Sequence, residues 1–149
     1  MTYILDTNIL LQIIRENDAF LQLLEKYALF DSMNETYVSI VTIGELSSIA
    51  RQNRWGEKRK KLLENLARLC PPIPIEKQVL IDAYAEIDAF SNGKILENPL
   101  PKGLSSRNMG KNDLWIAATA HVLDATLITT DADFTHLKDI YIGLEFIKI

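Results

Sequence analysis

Tyr3-Ile4-Leu5-Asp6-Thr7-Asn8 opens with an apolar run three residues long that stops on an acid. A short, β-favouring segment that is apolar at every position has no polar face to offer water. It reads as a strand buried on both sides, the kind found in parallel sheets. Ile9, Leu10, Ile13 and Ile14 follow at helical spacing, so the stretch predicts a strand, a turn at Asp6 and a helix.

The same alternation continues outward. A second amphipathic helix is predicted from about Asp18 to Phe30, and Tyr37-Val38-Ser39 reads as a second strand. Thr42 is a candidate cap for a helix carrying Glu45, Leu46, Ile49 and Ala50. Another helix runs from after Trp55-Gly56 to Pro71-Pro72, and Ile73-Pro74-Ile75 reads as a brief extended piece suited to a sheet edge. Glu76 to about Phe90 is helical again. Ser91 to Gly110, with three glycines and two prolines, reads as a long loop or short lid. Then come a helix from Asp113 to Leu123, a strand Thr126-Leu127-Ile128-Thr129, a helical turn from Asp133 to Leu137 and a closing strand within Tyr141 to Ile147. Strands alternating with helices predict a three-layer α/β/α sandwich around a mainly parallel central sheet. With 149 residues, no repeat and no linker, residues 1–149 read as one domain.

Composition limits the function classes. Hydrophobic residues are 48% and charged residues 24%, which suits a globular chain and not a disordered one. No apolar run approaches the length that spans a bilayer, and nothing ahead of Asp6 resembles a signal peptide, so a cytoplasmic protein with no membrane partner is expected. The one cysteine, Cys70, can form neither an internal disulfide nor a thiolate cage, and reads as a packed thiol. His121 and His136 lack a second ligand at metal spacing and read as ordinary helix-face residues. The net charge of -4 is unusual for a nucleic-acid binder. However, Arg51, Arg54, Lys58, Arg59, Lys60 and Lys61 crowd one short stretch against Glu57 alone. That stretch is either a solvated helix face or a basic patch.

In an open parallel sheet, ligands bind beyond the carboxyl ends of the strands. Asp6 follows the first strand there, and Asp131 and Asp133 follow the strand ending at Thr129. Asp113 and Glu45 share helix faces with small or apolar neighbours, which directs them toward the sheet. Carboxylates gathered at one edge repel unless a cation is present, and a hard divalent ion with oxygen ligands fits them. Taken singly, each acid has a plainer reading: Asp113 as a cap in a first helical turn, Asp6 as a turn residue. Their joint placement favours a metal site suited to phosphoryl chemistry.

Ile4-Leu5-Asp6-Thr7-Asn8, Thr42-Ile43-Gly44-Glu45-Leu46, the run from Asn112 to Ala120, and Leu127-Ile128-Thr129-Thr130-Asp131-Ala132-Asp133-Phe134 together resemble the successive signatures of PIN domains, above all VapC-type toxins. The resemblance implies an endoribonuclease that uses Mg2+, with Mn2+ as an alternative, to hydrolyse RNA phosphodiesters. It makes Asp6, Glu45, Asp113 and Asp131 the metal-binding catalytic acids. Asp133 ranks behind them, binding through water or capping a helix. Thr7, Asn112 and Thr130 become groups that hold those acids, and Arg51, Arg54 and Lys111 candidate RNA contacts. The resemblance further implies the toxin of a type II toxin-antitoxin pair, with a small antitoxin protein as partner and a homodimer as the assembly, for which the first helices offer apolar surface. The stretch from Gly93 to Gly110 is long for such a toxin and is either part of the substrate groove, contributing Lys94, Lys102, Arg107 and Lys111, or a plain surface loop. The alternatives are an RNA-processing PIN nuclease that is no toxin and a non-catalytic RNA-binding PIN module. An aspartyl phosphatase is disfavoured, because Asn8 stands where that chemistry wants a second acid.

Overall fold

A computed structural model describes residues 1–149. The elements in chain order are β1 (Thr2–Leu5), α1 (Thr7–Ile14), α2 (Asp18–Glu25), β2 (Glu35–Ser39), α3 (Ile40–Gln52), α4 (Glu57–Leu69), β3 (Pro72–Ile73), α5 (Gln78–Ser91), α6 (Lys111–Val122), β4 (Thr126–Thr129), a 3-10 helix (Ala132–Leu137) and β5 (Gly143–Phe146). The five strands form one sheet in the order β3-β2-β1-β4-β5, and every pairing is parallel. None of the helices is long and apolar enough to cross a membrane.

Strand alternation sorts the apolar residues onto the two faces. Tyr3 and Leu5 of β1, with Val38 and Ile128, join a core shared with Ile9, Leu10 and Ile14 of α1, Phe20 and Leu24 of α2, Leu46 of α3 and Leu66 of α4. Ile4, Leu127 and Leu144 point the other way, into Ile87 and Phe90 of α5, Leu114, Ile116 and Ala117 of α6, and Phe134 and Leu137. Ile4 and Leu5 are both fully buried, which explains why the Tyr3-Ile4-Leu5 run has no polar position and confirms the expected three layers.

Some predicted boundaries move. Ser39, not Thr42, caps α3: its hydroxyl accepts from the Val41 N–H, and the helix starts at Ile40, leaving Thr42 buried within its first turns. The third strand is the pair Pro72–Ile73, one residue ahead of the predicted piece, with its N–H-less proline at the sheet edge. The helix expected from Glu76 begins at Gln78. His136 is not a surface residue of its helical turn but 3% exposed, its Nε2 at 2.7 Å from the Ser91 hydroxyl.

The chain visits the β2 side of β1 first and then crosses, through α5 and α6, to β4 on the other side. The carboxyl ends of β1 and β4 therefore flank the point where the direction of winding reverses, and a crevice opens there.

The outer pairing of β4 with β5 depends on a glycine. Gly143 faces Thr126 in register, and a Cβ placed on it meets Thr126 Oγ1 at 2.7 Å and Thr126 Cα at 3.3 Å. Gly143→Ala should destabilise the fold by about 1–3 kcal/mol through overpacking. A thermal melt should show a drop of several degrees. Thr126→Ala in the same chain should restore part of it, and an unchanged midpoint in Gly143→Ala would show that β5 shifts freely.

Candidate metal centre

The register between β1 and β4 builds the floor of the crevice. Leu5 pairs with Ile128, and the Asp6 N–H donates to the Ile128 carbonyl at 3.0 Å. One step further along both strands, Asp6 and Thr129 are neighbours on the same face of the sheet. The buried Thr129 hydroxyl donates to Asp6 Oδ2 at 2.6 Å and accepts from the Asp131 N–H at 2.9 Å. One hydroxyl thus fixes both the first acid and the turn that carries the next.

Asp6 also caps α1, accepting the Thr7 N–H on Oδ1 at 2.7 Å. Thr7 in turn links α1 to α3. Its hydroxyl donates to Glu45 Oε1 at 2.9 Å and lies 3.1 Å from the Thr42 hydroxyl. With the single Thr7 proton directed at Glu45, Thr42 is the donor in the second bond. Thr42 stands three residues before Glu45 and so shares its helix face.

After β4 the chain turns sharply. Asp131 caps the 3-10 helix by accepting the Asp133 N–H at 2.8 Å. Asp113 sits in the first turn of α6, but Gly110 holds the cap position and Asp113 accepts no capping hydrogen bond. That answers the plainer reading of Asp113: it faces the crevice without serving the helix end. Oxygens of Asp113, Asp131 and Asp133 lie within 4.8 Å of one another. Asp133 therefore stands with Asp113 and Asp131, and the capping role considered for it belongs to Asp131.

The electrostatics record how crowded the place is. Burial pushes the Asp6 carboxyl up to about 6; the bonds from Thr129 and Thr7 act against that rise, and the charges of Asp131 and Glu45 add to it. Burial again leads for Asp113, which the charges of Asp6, Asp131, Glu45 and Asp133 help raise to about 7. The ion pairs of the molecule are Lys58–Glu16, Lys60–Glu57 and Arg68–Glu64, and none reaches these acids. Asp113, Asp131 and Asp133 crowd together without a salt bridge to any of them, and the charges of Asp6 and Glu45 also act on Asp113. An all-oxygen donor set of this charge suits Mg2+ or Mn2+.

The other candidates are placed differently. Asn112 is exposed and shares a shallow groove with Val41, Gly44, Glu45, Ser48, Ile49 and Gln52, without a hydrogen bond to any acid. Thr130 makes no side-chain hydrogen bond; its neighbour Thr129 does the holding, a residue that sequence register with Asp6 could have singled out. Lys111 is exposed two residues before Asp113. Arg51 and Arg54 lie apart from the acids, at the far end of α3, where they line a groove against α4 with Trp55, Lys60 and Leu63.

Residues 3–140 match the family described as the PIN domain. No curated protein sequence matches the chain. Among solved structures, it is similar to a chain of VapBC2 from Rickettsia felis bound to a DNA fragment from the promoter, with 26% identity over 98% of each chain and a TM-score of 0.73. VapBC-1 from nontypeable Haemophilus influenzae gives 23% identity, 98% of each chain and a TM-score of 0.74. VapBC-5 from Mycobacterium tuberculosis, a member of the VapBC family of toxin-antitoxin systems, gives 22% identity over 99% of this chain and 98% of that one, with a TM-score of 0.59.

The raised carboxyls set a pH dependence whose sign is definite. Asp6 and Asp113 hold protons in the folded chain up to about 6 and about 7, while in the unfolded chain they ionise near the usual carboxylate value of about 4. Between these limits the folded state binds more protons, so stability without metal should fall as pH rises through that window and level off above it. Mg2+ at about a hundred times its dissociation constant should add about 2.7 kcal/mol. Melting curves should show the added stability to be larger near pH 8 than near pH 5. Asp113→Asn should melt higher than the parent in chelator near pH 8 and gain less from Mg2+. A variant that melts lower in chelator would make Asp113 a structural acid.

Proposed function

This chain belongs to the PIN-domain family, and on that premise we propose that it is a metal-dependent endoribonuclease, the toxin of a type II toxin-antitoxin pair. The observation that carries the reading is the unpaired acidic cluster at the winding reversal, with three carboxylates inside 4.8 Å. Its neighbours in fold include complexes described as toxin-antitoxin systems, which supports the assignment to a pair and a small antitoxin as partner. Residues 1–149 form one nuclease domain, acting in the cytoplasm as a homodimer.

In this reading Asp6, Glu45, Asp113, Asp131 and Asp133 hold one or two divalent ions, Mg2+ or Mn2+. A bound ion of this kind brings the pKa of its water toward neutrality and neutralises charge on a phosphoryl oxygen. The chain's own residues do the rest. Thr129 keeps the Asp6 carboxylate and the Asp131 turn in fixed relation, and Thr7 and Thr42 do the same for Glu45. Ionisation of Asp113, which its neighbours oppose, is favoured once cation charge is present, so loading releases protons below neutrality. The groove past Glu45, Asn112 and Gln52, with exposed Lys111 next to Asn112 in sequence, is a path for the RNA backbone, whereas Arg51 and Arg54 line a separate groove on the other side of α3. Thr130 and Asn112 line the approach without fixing an acid.

The purified chain should cut single-stranded or structured RNA in Mg2+ or Mn2+ and stop in excess chelator. Asp6→Asn/Asp113→Asn should lose cleavage while keeping its circular dichroism. Equal cleavage by that variant would identify a contaminant; RNA bound but never cut would make the chain a binding module. Thr129→Val, which keeps the side chain's volume and removes its hydroxyl, should need about ten- to hundredfold more cation for half-maximal cleavage. Cleavage at unchanged cation demand would remove Thr129 from the site.

A further inference from the structure

The stretch from Asn92 to Gly110 carries no helix or strand, yet its far end is firmly tied. The Arg107 N–H donates to the Ser91 carbonyl at 2.8 Å, and the buried Met109 places its sulfur 3.4 Å from the Ser91 hydroxyl. The same hydroxyl meets His136 of the 3-10 helix. These ties bring Arg107 beside the helix that begins one residue after Asp131. There its Nη1 donates to the main-chain carbonyl of Asp133 at 3.3 Å.

That bond goes to a carbonyl and not to a carboxylate. Arg107 takes part in none of the ion pairs, although Asp133 is its neighbour. A guanidinium has five N–H donors, and this one spends a single N–H on protein. A half-buried side chain held at both its main chain and its tip has already lost much of its freedom, which lowers the cost of ordering it on a ligand. The free donors line a hollow with Ser105, Asn108 and Thr135. The Thr135 hydroxyl is spent on the Ala132 carbonyl at 2.7 Å, which leaves the Ser105 hydroxyl, the Asn108 amide and the guanidinium fork as the donor set of a phosphate site. Asp133 borders both this hollow and the acidic trio, so a strand with one phosphate at the trio passes here next.

We propose that Arg107, with Ser105 and Asn108, forms a subsite for a backbone phosphate of the substrate strand, adjacent to the phosphate that is cut. The proposal rests on the nuclease reading and adds a contact that sequence motifs do not mark. Arg107 binds and positions the strand; the acids remain the reacting centre.

The test uses the full chain carrying Asp113→Asn, which stops cleavage, with Mg2+ and a single-stranded oligoribonucleotide. Affinity is measured over a series of salt concentrations, with and without Arg107→Ala. The added Arg107→Ala should weaken binding about tenfold, the weight of one charge-assisted contact. It should also flatten the dependence of log K on log salt by about 0.7, one single-strand phosphate. Arg107→Lys should keep the slope with part of the affinity lost, and serves alone if the alanine variant melts early. An uncharged methylphosphonate is then walked along the oligonucleotide. One linkage should weaken the Arg107 protein and leave the Arg107→Ala protein unaffected, which a merely structural role for Arg107 would not produce. Equal slopes, or linkage penalties that ignore Arg107, overturn the subsite and leave the nuclease reading standing. RNA left unbound by the Arg107 protein overturns both.

Discussion

Carboxylates do not gather willingly. Burial raises the cost of ionising Asp6 and Asp113, and the charges of the acids around them raise it further. The rest of the molecule is arranged so that this crowding is held in place instead of relaxing. A sheet buried on both faces supplies the rigidity, because β1 and β4 cannot slip by one residue without turning Ile4, Leu5, Leu127 and Ile128 to the wrong layers. Asp6 is thereby fixed by the same register that packs the two cores.

Hydroxyls carry that rigidity from backbone to side chain. Thr129 joins β1 to the turn after β4, while Thr7 and Thr42 join α1 to α3. Threonine suits the task, since its branched Cβ restricts the hydroxyl to few rotamers and its methyl packs against apolar neighbours. Donating a hydrogen bond to a carboxylate favours its charged form, so these contacts also offset part of what burial costs Asp6. A lone acid on a flexible loop would swing away from its neighbours; here the hydrogen bonds of Asp6, Glu45 and Asp131 run back into an element of the fold.

Much of this was legible in the chain itself. Tyr3-Ile4-Leu5 announced a strand with two buried faces because it has no polar position, and the acids stood at strand ends and on inward helix faces. What escaped depends on partners distant in sequence. Thr129 and Thr130 are alike as residues, and only the pairing of Leu5 with Ile128 decides which hydroxyl reaches Asp6. Ser39 and Thr42 are both good caps, and the choice rests on where β2 ends. His136 looked like a surface residue because nothing nearby shows that Ser91 and Phe90 arrive from α5 to cover it. Arg51 and Arg54 read as RNA contacts from their place in a basic run, but α3 carries Arg51 roughly 9 Å along its axis beyond Glu45, and both line a separate groove against α4.

The tied end of the Asn92–Gly110 stretch has a bearing on how such a chain can diverge. Its fixed points are Ser91 at one end and Arg107 with Met109 at the other, and between them Ile95 and Leu100 pack against the core while Asn98 donates to the Tyr141 hydroxyl. The run from Pro101 to Ser106 is exposed throughout, and lengthening such a loop adds little closure entropy, so insertions there leave the moorings where they are. The register that places the acids tolerates no such change. The molecule thus divides into two compartments, one an acidic cluster locked to the sheet, the other a margin whose length can change without risk to the fold.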